Sequence, residues 1–269
     1  MAVAQQVDLE GFKEVPFVDL PFTDFAGDTV HRWLRMNSVL SGVIEKYDQP
    51  KILDIATGGG QDSIYLLRQG YDVTSNEIDE GFLHRLRARA TQAGLQPKLV
   101  AVDWRDFLTS PDLEDESFDV LFGLGNSFPN YLFEKAEREV ALHGFWRVLK
   151  PGGTLFFDTR NYDYMLDNAE QILKDPEHNF EYGYGNTYTN RAISCFPTII
   201  SPELVRLTYK HYGNGNWAQL DLWPATHKAV TELIDENLPD AEVTVLYDYR
   251  AEKPEHFDFL QYLVTKPAA

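Results

Sequence analysis

Three consecutive glycines, Gly58-Gly59-Gly60, follow the apolar run from Lys51 to Ile55, and a carboxylate, Glu77, lies 19 residues beyond the first of them. Glycines between a strand and a helix let a ligand approach the backbone, where the helix N-terminus offers amide donors. An acid at that spacing falls at the end of the next strand, where it can accept hydrogen bonds from both hydroxyls of a ribose. The pair points to a nucleoside ligand. A dinucleotide turn calls for a third glycine at position 63, so that the helix packs close beneath a pyrophosphate, but position 63 is Ser. Asp54 and Asp62 flank the turn, and carboxylates sit better beside a cationic ammonium and sulfonium than beside a pyrophosphate. The balance favours S-adenosylmethionine over NAD. Asp103-Trp104 follows the third strand; there a carboxylate can accept from an adenine amine while an indole walls the base. The same pair would serve equally well as a helix cap and a core tryptophan.

These residues need a frame that brings strand ends together. Residues 28–47 carry Val30, Trp33, Met36, Leu40, Val43, Ile44 and Tyr47 at helical spacing, and Gln49-Pro50 ends the pattern. Strands are expected at 51–55, 71–75, 98–102, 118–124 and 154–158, separated by helices at 62–69, 80–93 and 134–149, with Pro151-Gly152-Gly153 as the last turn. Strands alternating with helices imply a parallel sheet covered on both faces. A helix is expected over 161–176, and two alternating runs, Tyr188 to Phe196 and Glu203 to Tyr212, form an inserted antiparallel segment or lid within about 161–221. A helix at 225–237 precedes runs at 242–249 and 257–265, joined by so few residues that they must pair antiparallel. The expected class is α/β: a Rossmann-like, doubly wound, seven-stranded sheet with a terminal antiparallel hairpin. Residues 1–50 form an N-terminal helical cap and 51–269 the main domain.

Composition narrows the function. The chain has 269 residues, of which 43% are hydrophobic and 13% aromatic, enough to build one large domain with an insertion. A formal charge of -18 opposes an extended phosphate-binding surface, so nucleic-acid partners are not expected. No apolar run reaches the ~18 residues of a spanning helix, and the N-terminus lacks the basic and apolar regions of a signal peptide. A cytoplasmic protein without a membrane partner is the expectation, and a homo-oligomer is compatible with it. The single cysteine, Cys195, reads as a small buried hydrophobe, and the seven histidines show no metal-ligand spacing.

Taken as a set, Leu53-Asp54-Ile55-Ala56-Thr57-Gly58-Gly59-Gly60, Glu77, Asp103-Trp104 and Val148-Leu149-Lys150-Pro151-Gly152-Gly153 resemble the successive motifs of class I S-adenosylmethionine-dependent methyltransferases. Asp24-Phe25-Ala26-Gly27-Asp28-Thr29, Leu124-Gly125-Asn126-Ser127-Phe128 and Asp158-Thr159-Arg160-Asn161-Tyr162-Asp163-Tyr164 are similar to glycine N-methyltransferases and the bacterial glycine/sarcosine N-methyltransferases. The resemblance implies S-adenosyl-L-methionine held by Arg32, Gly58, Gly60, Glu77, Asp103, Trp104 and Leu124, with Arg32 on the methionyl carboxylate. It implies an acceptor amino acid handled by Asn126, Arg160, Tyr182 and Tyr209, with Arg160 on the acceptor carboxylate. No metal is implied.

This sequence departs from the family in places. Gly59 replaces the usual Thr of the turn, Glu77 the usual Asp, and Phe25 the usual Tyr, while Pro129-Asn130-Tyr131 follows Asn126-Ser127-Phe128 in place of the usual residues. The turn glycines Gly58 and Gly60 and an acid at position 77 are kept, so the cofactor site is spared and the acceptor is left open. The leading expectation is methyl transfer to the amine of a small amino acid of the glycine/sarcosine type. The altered acceptor residues also admit a cyclase on the same scaffold, forming azetidine-2-carboxylate and methylthioadenosine from the cofactor alone. A non-catalytic S-adenosylmethionine-binding protein is the third reading, disfavoured by the presence of Asn126 and Arg160.

Overall fold

The structure is a computed structural model and describes residues 3–5, 8–20, 38–179 and 193–268. In chain order its strands are β1 (Val3–Ala4), β2 (Lys13–Glu14), β3 (Lys51–Asp54), β4 (Asp72–Asn76), β5 (Lys98–Val100) and β6 (Phe118–Gly123). They continue with β7 (Leu149–Arg160), β8 (Ile193–Ile200), β9 (Val205–His211), β10 (Asn216–Leu222), β11 (Glu242–Tyr247) and β12 (Phe259–Thr265). The helices are α1 (Gln61–Arg68), α2 (Glu80–Gln92), α3 (Lys135–Val148), α4 (Tyr162–Asp167), α5 (Ala169–Lys174), α6 (Pro176–Asn179) and α7 (His227–Asn237). Residues 38–44 are also helical. Two compact units result: one comprises Ser38–Thr159, Lys228–Val245 and Gln261–Ala269, the other Met1–Asn37, Arg160–His227 and Leu246–Leu260.

Seven strands make one sheet in the order β11-β12-β7-β6-β3-β4-β5. Its centre is parallel: β3 pairs with β4 and β6, β4 with β5, and β6 with β7. The strand order reverses between β3 and β6, the position where open α/β sheets bind ligands beyond their carboxyl ends. β12 runs antiparallel to β7, because Gly152 donates to the Lys266 carbonyl at one end while Asn161 donates to the Asp258 carbonyl at the other. The mixed sheet and terminal hairpin expected from the sequence are therefore present. The buried strands are near-continuous apolar runs, as in Phe118–Gly123, because both of their faces are covered.

Helix boundaries follow from local chemistry. The α2 N-cap is Asp79, whose Oδ1 accepts from the amides of Gly81 at 2.8 Å and Phe82 at 3.0 Å, and its buried Leu83, Leu86 and Ala90 lie on one face. Gly70 and Gly94 follow the ends of α1 and α2 with φ of 88° and 68°, a region glycine enters without a Cβ penalty. At the end of α3 the Lys266 ammonium donates to the carbonyls of Trp146 at 3.0 Å and Leu149 at 2.8 Å, placing a cation at the negative end of the helix.

Several local expectations need correction. Pro151-Gly152-Gly153 is not a turn before the fifth strand but part of β7, which starts directly after α3. The register jumps from Leu149 opposite Phe118 to Thr154 opposite Val120, so the extra residues form a bulge, with Gly152 at φ 77°. The helix expected over 161–176 is three short ones, interrupted at Asn168, whose Nδ2 donates to the Tyr164 carbonyl, and again before Pro176.

The sheet of the second unit has a strand more than the two runs read from the sequence. β10 pairs antiparallel with β9, and β9 with β8; β8 reaches Ile200 instead of ending at Phe196, and 180–192 lie outside the described residues. Nor is this sheet built only from the insertion: β1 pairs antiparallel with β8, and β2 pairs parallel with β10. β1 and β2 span two residues each, too short for an alternating pattern to mark them in the sequence. No helix among the described residues is long and apolar enough to cross a membrane.

Gly144 tests the packing of α3 on the 3-10 turn Trp104–Asp106 that carries site residues. A Cβ there would meet the Phe107 Cβ at 2.5 Å and the Leu108 backbone N at 2.8 Å. Helix propensity favours Ala over Gly by ~1 kcal/mol. Overpacking against backbone costs about 1–3 kcal/mol, so Gly144→Ala is expected to lower stability overall, measured as a reduced midpoint in urea unfolding.

Candidate functional site

In the first unit the glycine turn is held from three sides. The Glu77 carboxylate accepts the Gly58 amide on Oε2 at 2.8 Å and those of Ile78 and Asp79 on Oε1, each at 2.9 Å. Arg89 donates to the Gly59 carbonyl at 2.7 Å. Gly60 lies at φ 80°, and a Cβ there would meet Leu86 Cδ1 at 2.7 Å, so both backbone angle and packing require glycine. Gly58, at φ 52°, has nothing within 4 Å of its Cβ position, which leaves backbone open to a ligand. Burial raises the Glu77 pKa, and the three amides oppose that shift. With about four acceptor positions on a carboxylate and three filled, Oε2 keeps one for a ribose hydroxyl.

Beneath the turn, Ser63 is fully buried and explains the missing third glycine. Its Oγ donates to Asp54 Oδ2 at 2.7 Å and accepts from Ser75 Oγ at 2.9 Å. Burial pushes the Asp54 pKa up to about 8, so Asp54 is largely neutral at pH 7. Of the two carboxylates invoked against a pyrophosphate, only Asp62 retains that argument. Asn76, 2% exposed, ties three strand ends together: its Nδ2 donates to the carbonyls of Ile55 and Val102, and its Oδ1 accepts from the Val102 amide. From the sequence Ser63 counts only as the absence of a glycine and Asn76 carries no role, although a polar residue within a buried apolar pattern is the signal that marks such positions.

Asp103 caps the 3-10 turn, and Arg105 clamps its carboxylate, with Nε to Oδ1 at 2.8 Å and Nη2 to Oδ2 at 2.6 Å. That hydrogen bonding lowers the Asp103 pKa. Oδ2 still has an acceptor position, since the third bond, from the Arg105 amide, also falls on Oδ1. The Trp104 indole N–H donates to the Ile55 carbonyl at 2.8 Å, and its ring meets Phe128 edge-on with centroids 5.8 Å apart. It is half-buried and fixed in direction.

The loop after β6 holds Leu124 and Asn126. Asp158 Oδ1, fully buried, accepts the amides of Gly125 at 2.8 Å and Asn126 at 2.7 Å, and holds both in the left-handed region with φ of 94° and 66°. Asp158 was part of a motif in the sequence; its structural task was not.

In the second unit Arg160, at the end of β7, is 4% exposed, with its guanidinium 4.9 Å over the Phe259 ring. Its charge acts on Cys195, which is hydrogen-bonded to Tyr209, its partner across β8 and β9; burial raises the thiol pKa, and these two contacts oppose that. Arg160 and Tyr209 therefore converge on Cys195, a residue the sequence offered only as core. Tyr209 also meets Phe17 edge-on at 5.0 Å. Arg32 and Tyr182 lie outside the described residues. Among the described residues no group of three or more His, Cys, Asp or Glu is placed to hold a metal.

Comparison with known proteins accounts for this geometry. The methyltransferase domain family matches residues 52–153. The chain is 30% identical to the glycine/sarcosine N-methyltransferase of Parasynechococcus marenigrum over 83% of its own length and 74% of that protein. The chain belongs to the glycine and glycine/sarcosine N-methyltransferase family of S-adenosylmethionine-dependent enzymes. It is also 31% identical to the rat glycine N-methyltransferase, over about half of each chain, 54% of this one and 52% of that. In fold it resembles the CcbJ methyltransferase of Streptomyces caelestis, with a TM-score of 0.65 at 17% identity over 94% of this chain and 97% of that. A methyltransferase from Clostridium acetobutylicum gives 0.64 at 15% over 93% and 94%. The enzyme is thus an S-adenosylmethionine-dependent methyltransferase, and the open Gly58 backbone and the Glu77 acceptor fit that cofactor.

Two measurements test this site. Glu77→Ala removes a charged acceptor and the anchor of Gly58, and calorimetry with S-adenosylhomocysteine should show affinity lower by about 1–3 kcal/mol. Asp54 has a folded pKa of about 8, above its unfolded value, so the folded state binds the extra proton between about pH 4 and pH 8. The stability it contributes is complete below that window and is lost as pH rises through it. Asp54→Asn should therefore show a smaller fall in unfolding free energy from pH 5 to pH 8 than the parent, read from urea titrations.

Proposed function

We propose that the enzyme transfers a methyl group from S-adenosylmethionine to the amine of a small amino acid of the glycine/sarcosine type, in the cytoplasm and without nucleic-acid or membrane partners. The observation that carries the proposal is Arg160. A guanidinium that is 4% exposed and set over an aromatic ring, and that acts with Tyr209 on the same buried thiol, suits a small carboxylate better than an ammonium would. The relatives named as glycine/sarcosine N-methyltransferases support the same acceptor class.

The cofactor supplies an electrophilic methyl group on a sulfonium. The protein's own share is placement. Arg160 fixes the acceptor carboxylate, Tyr209 and Tyr182 line its surroundings, and Asn126, set by Asp158, orients the amine. Glu77, Gly58, Gly60, Asp103, Trp104, Leu124 and Arg32 hold the nucleoside and methionyl parts. The amine attacks through its lone pair, so it must arrive neutral, and the new N–C bond forms as the C–S bond breaks. The proton is released to water. Alignment of two reactants in this way can supply up to ~7–11 kcal/mol, and no strong acid or covalent nucleophile is required.

Incubation with methyl-labelled cofactor and a panel of glycine, sarcosine and dimethylglycine should yield S-adenosylhomocysteine and a labelled N-methyl amino acid. Methylthioadenosine formed from enzyme and cofactor alone would replace this reading with the cyclase. Arg160→Lys keeps the charge but loses the planar fork, so the acceptor KM should rise at least tenfold while S-adenosylhomocysteine affinity holds. An unchanged KM would reduce Arg160 to a structural residue.

A further inference from the structure

The loop between β6 and α3 is held at both ends. Asp158 takes the amides of Gly125 and Asn126, while the buried Arg138 donates through Nη1 to the carbonyls of Leu132 and Phe133, each at 2.7 Å. Between these anchors the Tyr131 amide bonds the Ser127 carbonyl at 3.2 Å, and the Leu132 amide bonds the Pro129 carbonyl at 3.0 Å. Asn130 sits in the middle, 0% exposed, and neither its Nδ2 nor its Oδ1 has a hydrogen-bond partner. Asn76 shows what a buried asparagine with a structural task looks like in the same unit: its carboxamide makes three bonds to the main chain. A buried amide with neither donor nor acceptor used costs stability, and an apolar side chain of the same shape would avoid that cost.

We propose that Asn130 is a further ligand-contacting residue, whose carboxamide receives an α-amino-acid group. A carboxamide offers two donors and an acceptor on one planar head, the complement of a group that presents a carboxylate beside an amine. Two sources carry that chemistry, the methionyl end of the cofactor and a free amino-acid acceptor. In the second case the inference rests on the acceptor class proposed above. The position of Asn130 is consistent with the loop's work, since it stands four residues after Asn126 on the same anchored segment, beside Phe128 and Tyr131, whose rings contact Trp104.

The test is Asn130→Leu, which keeps the branching of the side chain and removes both polar atoms. Thermal stability of the full chain should be equal or higher, while one of two constants worsens at least tenfold. A raised Kd for S-adenosylhomocysteine by calorimetry assigns the contact to the cofactor. An unchanged Kd with a raised KM for glycine or sarcosine assigns it to the acceptor. Both constants within twofold of the parent, whether stability rises or falls, would overturn the proposal and leave Asn130 a packing residue. If the leucine variant does not fold, Asn130→Asp is read by the same two constants: it loses the donors, sets a charge against the ligand carboxylate, and carries the same expectation and the same refutation. Should the parent bind S-adenosylhomocysteine but methylate none of the panel, the acceptor class fails, and the S-adenosylhomocysteine arm alone decides for Asn130.

Discussion

The Asp158 carboxylate, sealed from solvent, accepts the amides of Gly125 and Asn126 on one oxygen. Burying a polar group is tolerable only when hydrogen bonds replace those it made to water. Those bonds in turn hold Asn126 in a left-handed conformation, which asparagine tolerates better than most residues other than glycine. β7, paired with β6 on one side, brings Asp158 to this position, so the register of two parallel strands decides where the loop points.

The same device recurs at the neighbouring strand ends. Glu77 gathers the amides of Gly58, Ile78 and Asp79, and Asn76 gathers backbone groups of Ile55 and Val102. Below them the Asp54, Ser63 and Ser75 chain fills the space that a third glycine would leave. Loops at the carboxyl ends of parallel strands have amides with no strand to pair with, and here side chains from the adjacent strands satisfy them. The geometry of this candidate cradle is therefore a consequence of how the sheet terminates, with the helices supplying support from below through Leu86 and Arg89.

The second unit works by a different principle. Its sheet is an antiparallel meander extended at both edges by short N-terminal strands, and its polar residues of interest lie on the strands themselves. Cross-strand pairing sets Cys195 directly against Tyr209, and the Arg160 charge acts on the same thiol. Cross-strand neighbours are positioned by register alone, so a one-residue slip would turn Tyr209 to the opposite face. Methyl transfer places modest demands on acid–base groups and strict ones on geometry.

Much of the fold was legible in the sequence because it rests on local signals: apolar runs of strand length, glycines at helix ends, and a last connection too short for a parallel crossover. The Gly58-Gly59-Gly60 turn and Glu77 were legible for the same reason, since their spacing is set by one strand, one helix and the next strand. What the sequence could not determine depends on contacts between distant segments. The bulge at Gly152 appears only when β7 is laid against β6, and the N-terminal strands only when the meander offers them edges. Cys195 looked like any small core residue until pairing set it against Tyr209, and Ser63 looked like an absent glycine until Asp54 and Ser75 closed on it. Periodicity and propensity report on neighbours in the chain, whereas register, burial and hydrogen-bond satisfaction belong to residues that meet only after folding, and these are what decided the site.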